Sequence, residues 1–120
     1  MREIYNFICN NYADGDAIVL VGFSRGAFTA RAVADMIATL GLLNVSGLDH
    51  FFAIFKDYEH LESDKRPNDE FLYKDLTPFR GETGKARWRV EERRKQEYRR
   101  WLRDTVSLAT ENRIRVYVCL

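Results

Sequence analysis

Ten consecutive residues constrain this chain more than any others: Val19-Leu20-Val21-Gly22-Phe23-Ser24-Arg25-Gly26-Ala27-Phe28. An uninterrupted apolar run, Ala17 to Val21, meets a Gly-x-Ser-x-Gly turn, and residues that favour helix follow it. An apolar run of that length reads as a buried strand, so the backbone must turn sharply from strand into helix at Ser24. Such a turn crowds the residues two before and two after the serine. Gly22 and Gly26 carry no Cβ, and both are expected to let it close.

That order of elements is the sequence form of a nucleophile elbow. The serine oxygen would stand clear of the sheet. The backbone N–H of Arg25, at the start of the helix, would point at a developing oxyanion. Ser24 is therefore the candidate catalytic nucleophile and the Arg25 N–H a candidate oxyanion donor, with Gly22 and Gly26 as the elbow glycines. The competing reading is a Gly-rich strand–helix turn with an idle serine.

Length limits what can surround the elbow. The chain has 120 residues, 46% of them apolar, which allows one domain with a core. A complete sheet of the α/β-hydrolase type takes more than about 200 residues. The expected fold class is therefore α/β: a partial α/β-hydrolase sheet of parallel strands bearing the elbow, plus a helical, charged insertion. A net charge of +1 gives no overall push towards nucleic acid or membrane. Cys9 and Cys119 lack metal-type spacing and read as two free, buried thiols in a reducing compartment. Neither a metal nor a cofactor is expected. No apolar run is long enough to span a membrane, and Met1 precedes charged residues rather than a signal-peptide core, so the chain is expected to be cytoplasmic at synthesis.

Three parts follow along the chain. Residues 1–47 read as helix, strand, elbow and helix. In the first helix, Ile4, Phe7, Ile8 and Tyr12 recur at helical spacing, and Gly15 turns the chain. The helix from Arg25 to Leu40 carries a stripe of mostly small residues (Ala27, Ala30, Ala34, Ile37, Ala38, Gly41) suited to close packing, with Gly41 as its stop and Arg31 and Asp35 placed to pair. Residues 48–106 read as a helical insertion or lid. Its first helix, Leu48 to Leu61, is aromatic and either packs on the core or walls an apolar pocket. His50 and His60 lie too soon after Ser24 to be a hydrolase's catalytic histidine and read as surface residues. Glu62 to Lys85 reads as a loop in which Phe71, Leu72 and Tyr73 touch the core. Trp88 to Val106 reads as a basic helix, either solvated or resting on an anionic membrane or phosphate surface; nucleic acid is not expected. Residues 107–120 hold the next strand of the sheet, with Ile114, Val116, Val118 and Leu120 alternating.

The segment Gly22-Phe23-Ser24-Arg25-Gly26-Ala27-Phe28-Thr29-Ala30-Arg31, preceded by Tyr5-Asn6-Phe7-Ile8 and Gly15-Asp16, resembles a largely fungal and bacterial α/β-hydrolase family. That family of uncharacterised proteins includes the catalytic domains of type VI secretion phospholipase effectors. The similarity covers most of the chain, best in residues 1–60 and in the closing strand. It implies an acyl hydrolase acting on an ester or phospholipid-like substrate through Ser24. The family pattern expects a Trp-Asp-Thr-Val type segment after a strand like Val116–Leu120, so the triad Asp and the later His would lie outside this chain. Asp104-Thr105-Val106 resembles that segment but precedes the strand on a helix, and does not take the role. The 120 residues alone are expected to be nearly inert. The alternative reading is a non-catalytic α/β scaffold protein that uses the basic helix 88–106 as a binding surface. Substrate identity and oligomeric state are not legible.

Overall fold

The computed structural model of the chain describes residues 1–105 and 114–120. In chain order the elements are α1 (Arg2–Asn11), β1 (Ala17–Val21), α2 (Arg25–Leu40), the short α3 (Val45–Leu48), α4 (Phe51–His60), a 3-10 turn (Asn68–Glu70), α5 (Gly84–Thr105) and β2 (Arg115–Cys119). β1 and β2 pair in parallel, with Ala17 opposite Arg115 and Val21 opposite Cys119. The ladder runs one step further, where the Gly22 N–H donates to the Cys119 carbonyl at 3.0 Å. The mixed α/β class and the parallel pairing therefore agree with the sequence.

The expectation that β1 is a buried strand holds for only one of its faces among the described residues. Ile18 and Leu20 are buried, while Ala17, Val19 and Val21 are exposed. The reason is geometric. Side chains alternate along a strand, and α2 packs on only one face of the pair. Val19 is 58% exposed and Tyr117, on β2, 53%. A groove of about 320 Å³ between α1 and β1, lined by Ile4, Phe7, Ile8 and Val19 among others, is likewise open.

That open side also changes the reading of α1. The apolar stripe Ile4, Phe7, Ile8 and Tyr12 is not the buried face; Tyr5 and Cys9 are. Tyr5 is completely enclosed, and its hydroxyl donates to the Gly41 carbonyl at 2.6 Å. A buried phenol is stable only with such a partner, and the open carbonyl at the C-terminus of α2 supplies it. Gly41 has φ 77° there, a left-handed conformation that suits glycine and ends the helix as expected. On α2, Ala30, Ile37 and Gly41 are buried as the packing stripe requires, but Ala38 is exposed. Arg31 and Asp35 do not pair; Asp35 instead accepts from the Tyr58 hydroxyl of α4.

The aromatic helix begins later than its periodicity suggests. Leu48 ends α3, and Asp49 and His50 form a turn before α4 starts at Phe51. Phe51, Ile54 and Leu61 are buried against the core, and Phe51 stacks on Phe55 with ring centroids 5.6 Å apart. α5 starts at Gly84 rather than at Trp88 and continues to Thr105; Val106 and Arg113, assigned to the basic helix and to the closing strand, lie outside the described residues. Cys9 is buried and free, as expected, whereas Cys119 is free but exposed, since it sits on the uncovered face of β2.

The segment read as a loop, Glu62 to Lys85, is a structured cap on α5. Phe71 and Leu76 are buried, while Leu72 is not. Two buried charges hold this cap. Asp57 accepts from Arg66 (2.8 Å), the Leu72 N–H (3.0 Å) and the Tyr98 hydroxyl (2.7 Å). Arg94 donates to the Leu61 carbonyl (2.7 Å), the Thr77 carbonyl (2.7 Å) and the Asn68 side chain (3.2 Å). Its guanidinium also lies over the Phe79 ring, 4.6 Å from the centroid. The two side chains take up the Leu72 N–H and the Thr77 carbonyl of the segment, although Arg94 Nη2 is buried without a hydrogen-bond partner among the described residues, and such pairing lets a polar segment lie down with little regular structure.

Candidate active site

β1 ends at Val21 and α2 begins at Arg25, so three residues make the whole connection. Ser24 sits in it at φ 59° and ψ −120°, the only non-glycine residue with positive φ among those described. An L-residue held there is strained by roughly 1–3 kcal/mol, and the surroundings must enforce it. They do so through the helix: the Gly26 N–H donates to the Phe23 carbonyl at 3.0 Å and the Ala27 N–H to the Ser24 carbonyl at 3.1 Å.

The two glycines are not equivalent. A Cβ on Gly22 would stand 2.3 Å from the Gly26 carbonyl oxygen and 2.7 Å from the Ala27 nitrogen, so only glycine fits. A Cβ on Gly26 would meet nothing within 4 Å. The expectation that both are sterically required is thus corrected to one of the two. The backbone of residue 26 presses on residue 22, and its own Cβ direction points to open space among the described residues.

The serine itself is exposed, and its side chain caps no helix amide. The N–H of Arg25 is the first of α2 and has no acceptor among the described residues, as expected at a helix start. It lies at the positive end of a sixteen-residue helix, where anions are favoured. Around Ser24 the side chains are apolar and open: Val21 is 79% exposed, Phe23 90% and Phe28 77%. Neither histidine hydrogen-bonds Ser24. His50 precedes α4 and is exposed, and the His60 ring nitrogen Nδ1 is engaged with the Lys56 carbonyl at 2.8 Å. Among the described residues no group of His, Cys, Asp and Glu could hold a metal ion.

The parallel register brings a further element to this place. Because Val21 is opposite Cys119, the C-terminal end of β2 lies beside the turn that carries Ser24. In parallel sheets, ligands bind at the carboxyl ends of the strands. The buried charges Asp57 and Arg94 were not singled out by sequence as structural groups, and they lie in the cap rather than at Ser24. Their positions were recoverable. Asp57 follows the buried Ile54 by three residues, and Arg94 precedes the buried Tyr98 by four, so each shares an apolar helix face.

Comparison with known proteins gives two matches. A region of 66 residues, 54% of this chain, is 42% identical to the uncharacterized protein YEL023C of Saccharomyces cerevisiae (strain ATCC 204508 / S288c). The aligned region is only 10% of that relative's length, so the chain corresponds to a small part of it. No solved structure matches the chain. The family model described as T6SS, phospholipase effector Tle1-like, catalytic domain, matches residues 1–111. Nearly the whole chain lies within that match, and the chain belongs to the Tle1-like phospholipase effector catalytic domain family.

Proposed function

We propose that this chain is the nucleophile-bearing portion of a serine acyl hydrolase of phospholipase type, with an α/β-hydrolase sheet completed by segments outside these 120 residues. The observation that carries the reading is the backbone of Ser24: a strained, exposed serine between a parallel strand and a helix, in a turn only Gly22 permits. Strain that survives in a fold needs a reason, and a nucleophile elbow supplies one. The family, a phospholipase effector catalytic domain, agrees with the chemistry and suggests a lipid substrate.

In this mechanism Ser24 Oγ attacks an ester carbonyl carbon while a histidine takes its proton. The Arg25 N–H donates to the oxyanion as the tetrahedral intermediate forms. Collapse expels the alcohol, which receives the proton, and water then releases the acyl group from Ser24. The exposed Phe23 and Phe28 offer an apolar margin for an acyl chain. The end of β2 supports the placement of the acidic member: a segment leaving Leu120 would emerge beside Ser24. The histidine would come from later in the full protein. Alone, the described residues give Ser24 no base, and the isolated chain is expected to be nearly inert.

The test is hydrolysis of phospholipid and of a soluble ester by the full-length protein that carries this chain. Replacing Ser24 by Ala should lower turnover by about 10⁴-fold or more, since it removes the nucleophile. Turnover that survives this replacement would exclude Ser24 as the attacking group. Robust turnover by the isolated chain, lost in the same variant, would show that the base lies within these residues.

A further inference from the structure

The cations of α5 fall into two sets. Arg87, Arg94, Lys95 and Arg99 face the fold, and each has an acceptor: Asp64 and Glu91, the Leu61 and Thr77 carbonyls, Glu62, and the Ala38 carbonyl. Lys85, Arg89, Arg93, Arg100 and Arg103 lie on the opposite side and are exposed. At about 100° per residue these five and Gln96 fall in a sector about 80° wide, extended over about 27 Å of helix. Among the described residues Lys85, Arg89, Arg93 and Arg100 make no ion pair or hydrogen bond, and Arg103 meets only its neighbour Asp104, at 3.7 Å.

Lys85, Arg89 and Arg93, three like charges at four-residue spacing, work against their own helix. Composition does not force it, because the chain balances 19 Lys and Arg against 18 Asp and Glu. The inward cations fasten the cap and, through Arg99, α2, whereas among the described residues the outward ones other than Arg103 have no partner.

We propose that this outer face of α5 docks the protein on a bilayer surface containing anionic phospholipids. The charge pattern is complementary to such a surface, and the row is straight and borne by one helix, as a plane of headgroups requires. A nucleic-acid duplex is the competing polyanion for such a row, and preference for it would count against the bilayer. The inference is independent of the hydrolase reading, because none of these residues lies at Ser24.

The experiment is cosedimentation of the full-length protein with phosphatidylserine-containing vesicles and with phosphatidylcholine vesicles, at low and high salt. Binding is expected only to the acidic vesicles and should weaken with salt. Each basic residue near an acidic surface contributes about fivefold. The combined variant Lys85→Gln, Arg89→Gln, Arg93→Gln, Arg100→Gln is therefore expected to bind several hundredfold more weakly, on the order of five to the fourth power. A control variant removes the same charge elsewhere, at Lys56, Lys65, Lys74 and Arg80, and should keep most of the binding. Circular dichroism checks that both are folded, and neither variant touches Ser24, so soluble-ester turnover is read in parallel. Absence of binding to acidic vesicles, equal losses in the two variants, or preference for a DNA duplex over vesicles would each overturn the proposal.

Discussion

Gly22→Ala and Gly26→Ala should have opposite effects on stability, although both glycines belong to one motif. The Cβ added by Gly22→Ala would stand 2.3 Å from the Gly26 oxygen and 2.5 Å from its carbonyl carbon. Ordinary contact begins about 3.4 Å from such atoms, so the backbone of the turn must retreat by about 1 Å. Overpacking of that size costs about 1–3 kcal/mol, and here the obstacle is backbone rather than a movable side chain. The Cβ added by Gly26→Ala meets nothing within 4 Å. That position lies in the first turn of α2, so the variant gains up to about 0.5–1 kcal/mol, chiefly from a less flexible unfolded chain. In thermal unfolding followed by circular dichroism, one kcal/mol corresponds to roughly 4 °C for a domain near this size. Gly22→Ala should lower the midpoint by about 4–12 °C, and Gly26→Ala should raise it by about 2–4 °C. A Gly26→Ala variant destabilised as much as Gly22→Ala would refute the steric reasoning.

The cap should depend on its buried charges. Asp57→Ala strands Arg66 and the Tyr98 hydroxyl inside the fold and should cost about 3–5 kcal/mol in denaturant unfolding; a loss under about 1 kcal/mol would contradict the burial argument. Arg94→Ala frees the Leu61 and Thr77 carbonyls, so residues 62–83 should become the first site of limited proteolysis, with cleavage unchanged as the contrary result. At alkaline pH the buried tyrosines set the limit. Burial raises the hydroxyl pKa of Tyr5, Tyr58 and Tyr98 above the ordinary value of 10.0, with hydrogen bonding to Asp35 and Asp57 adding to it for the latter two. Their contribution is complete below pH 10 and declines above it, because the unfolded chain gives up protons that the folded chain keeps. Three of the six tyrosines should form tyrosinate only together with loss of helix signal; ionisation of more than three in a still-folded chain would contradict the assignment.

The elements set by local pattern were the ones the sequence showed clearly. β1 and the start of α2 could be placed from an apolar run and a glycine turn, and β2 from its alternation. What escaped was set by contacts across the chain. α1 buries Tyr5 rather than its apolar stripe, because a hydroxyl found the end of α2 thirty-six residues away. The Glu62–Lys85 segment looked like a linker because its partners, Asp57 and Arg94, lie on helices that flank it. A charge on a helix face is read as solvated unless something is known to cover it. Ser24 was visible as a motif residue, whereas its strained backbone and the unequal roles of Gly22 and Gly26 required coordinates.

The central claim is that Ser24 is an activated nucleophile in the complete protein. The most direct measurement is labelling of the full-length protein with a fluorophosphonate probe, followed by peptide mapping of the modified residue. The account predicts adduct on Ser24, lost on heat denaturation and absent from Ser24→Ala. A folded protein that hydrolyses phospholipid yet carries the probe on another residue, or carries none, would contradict it.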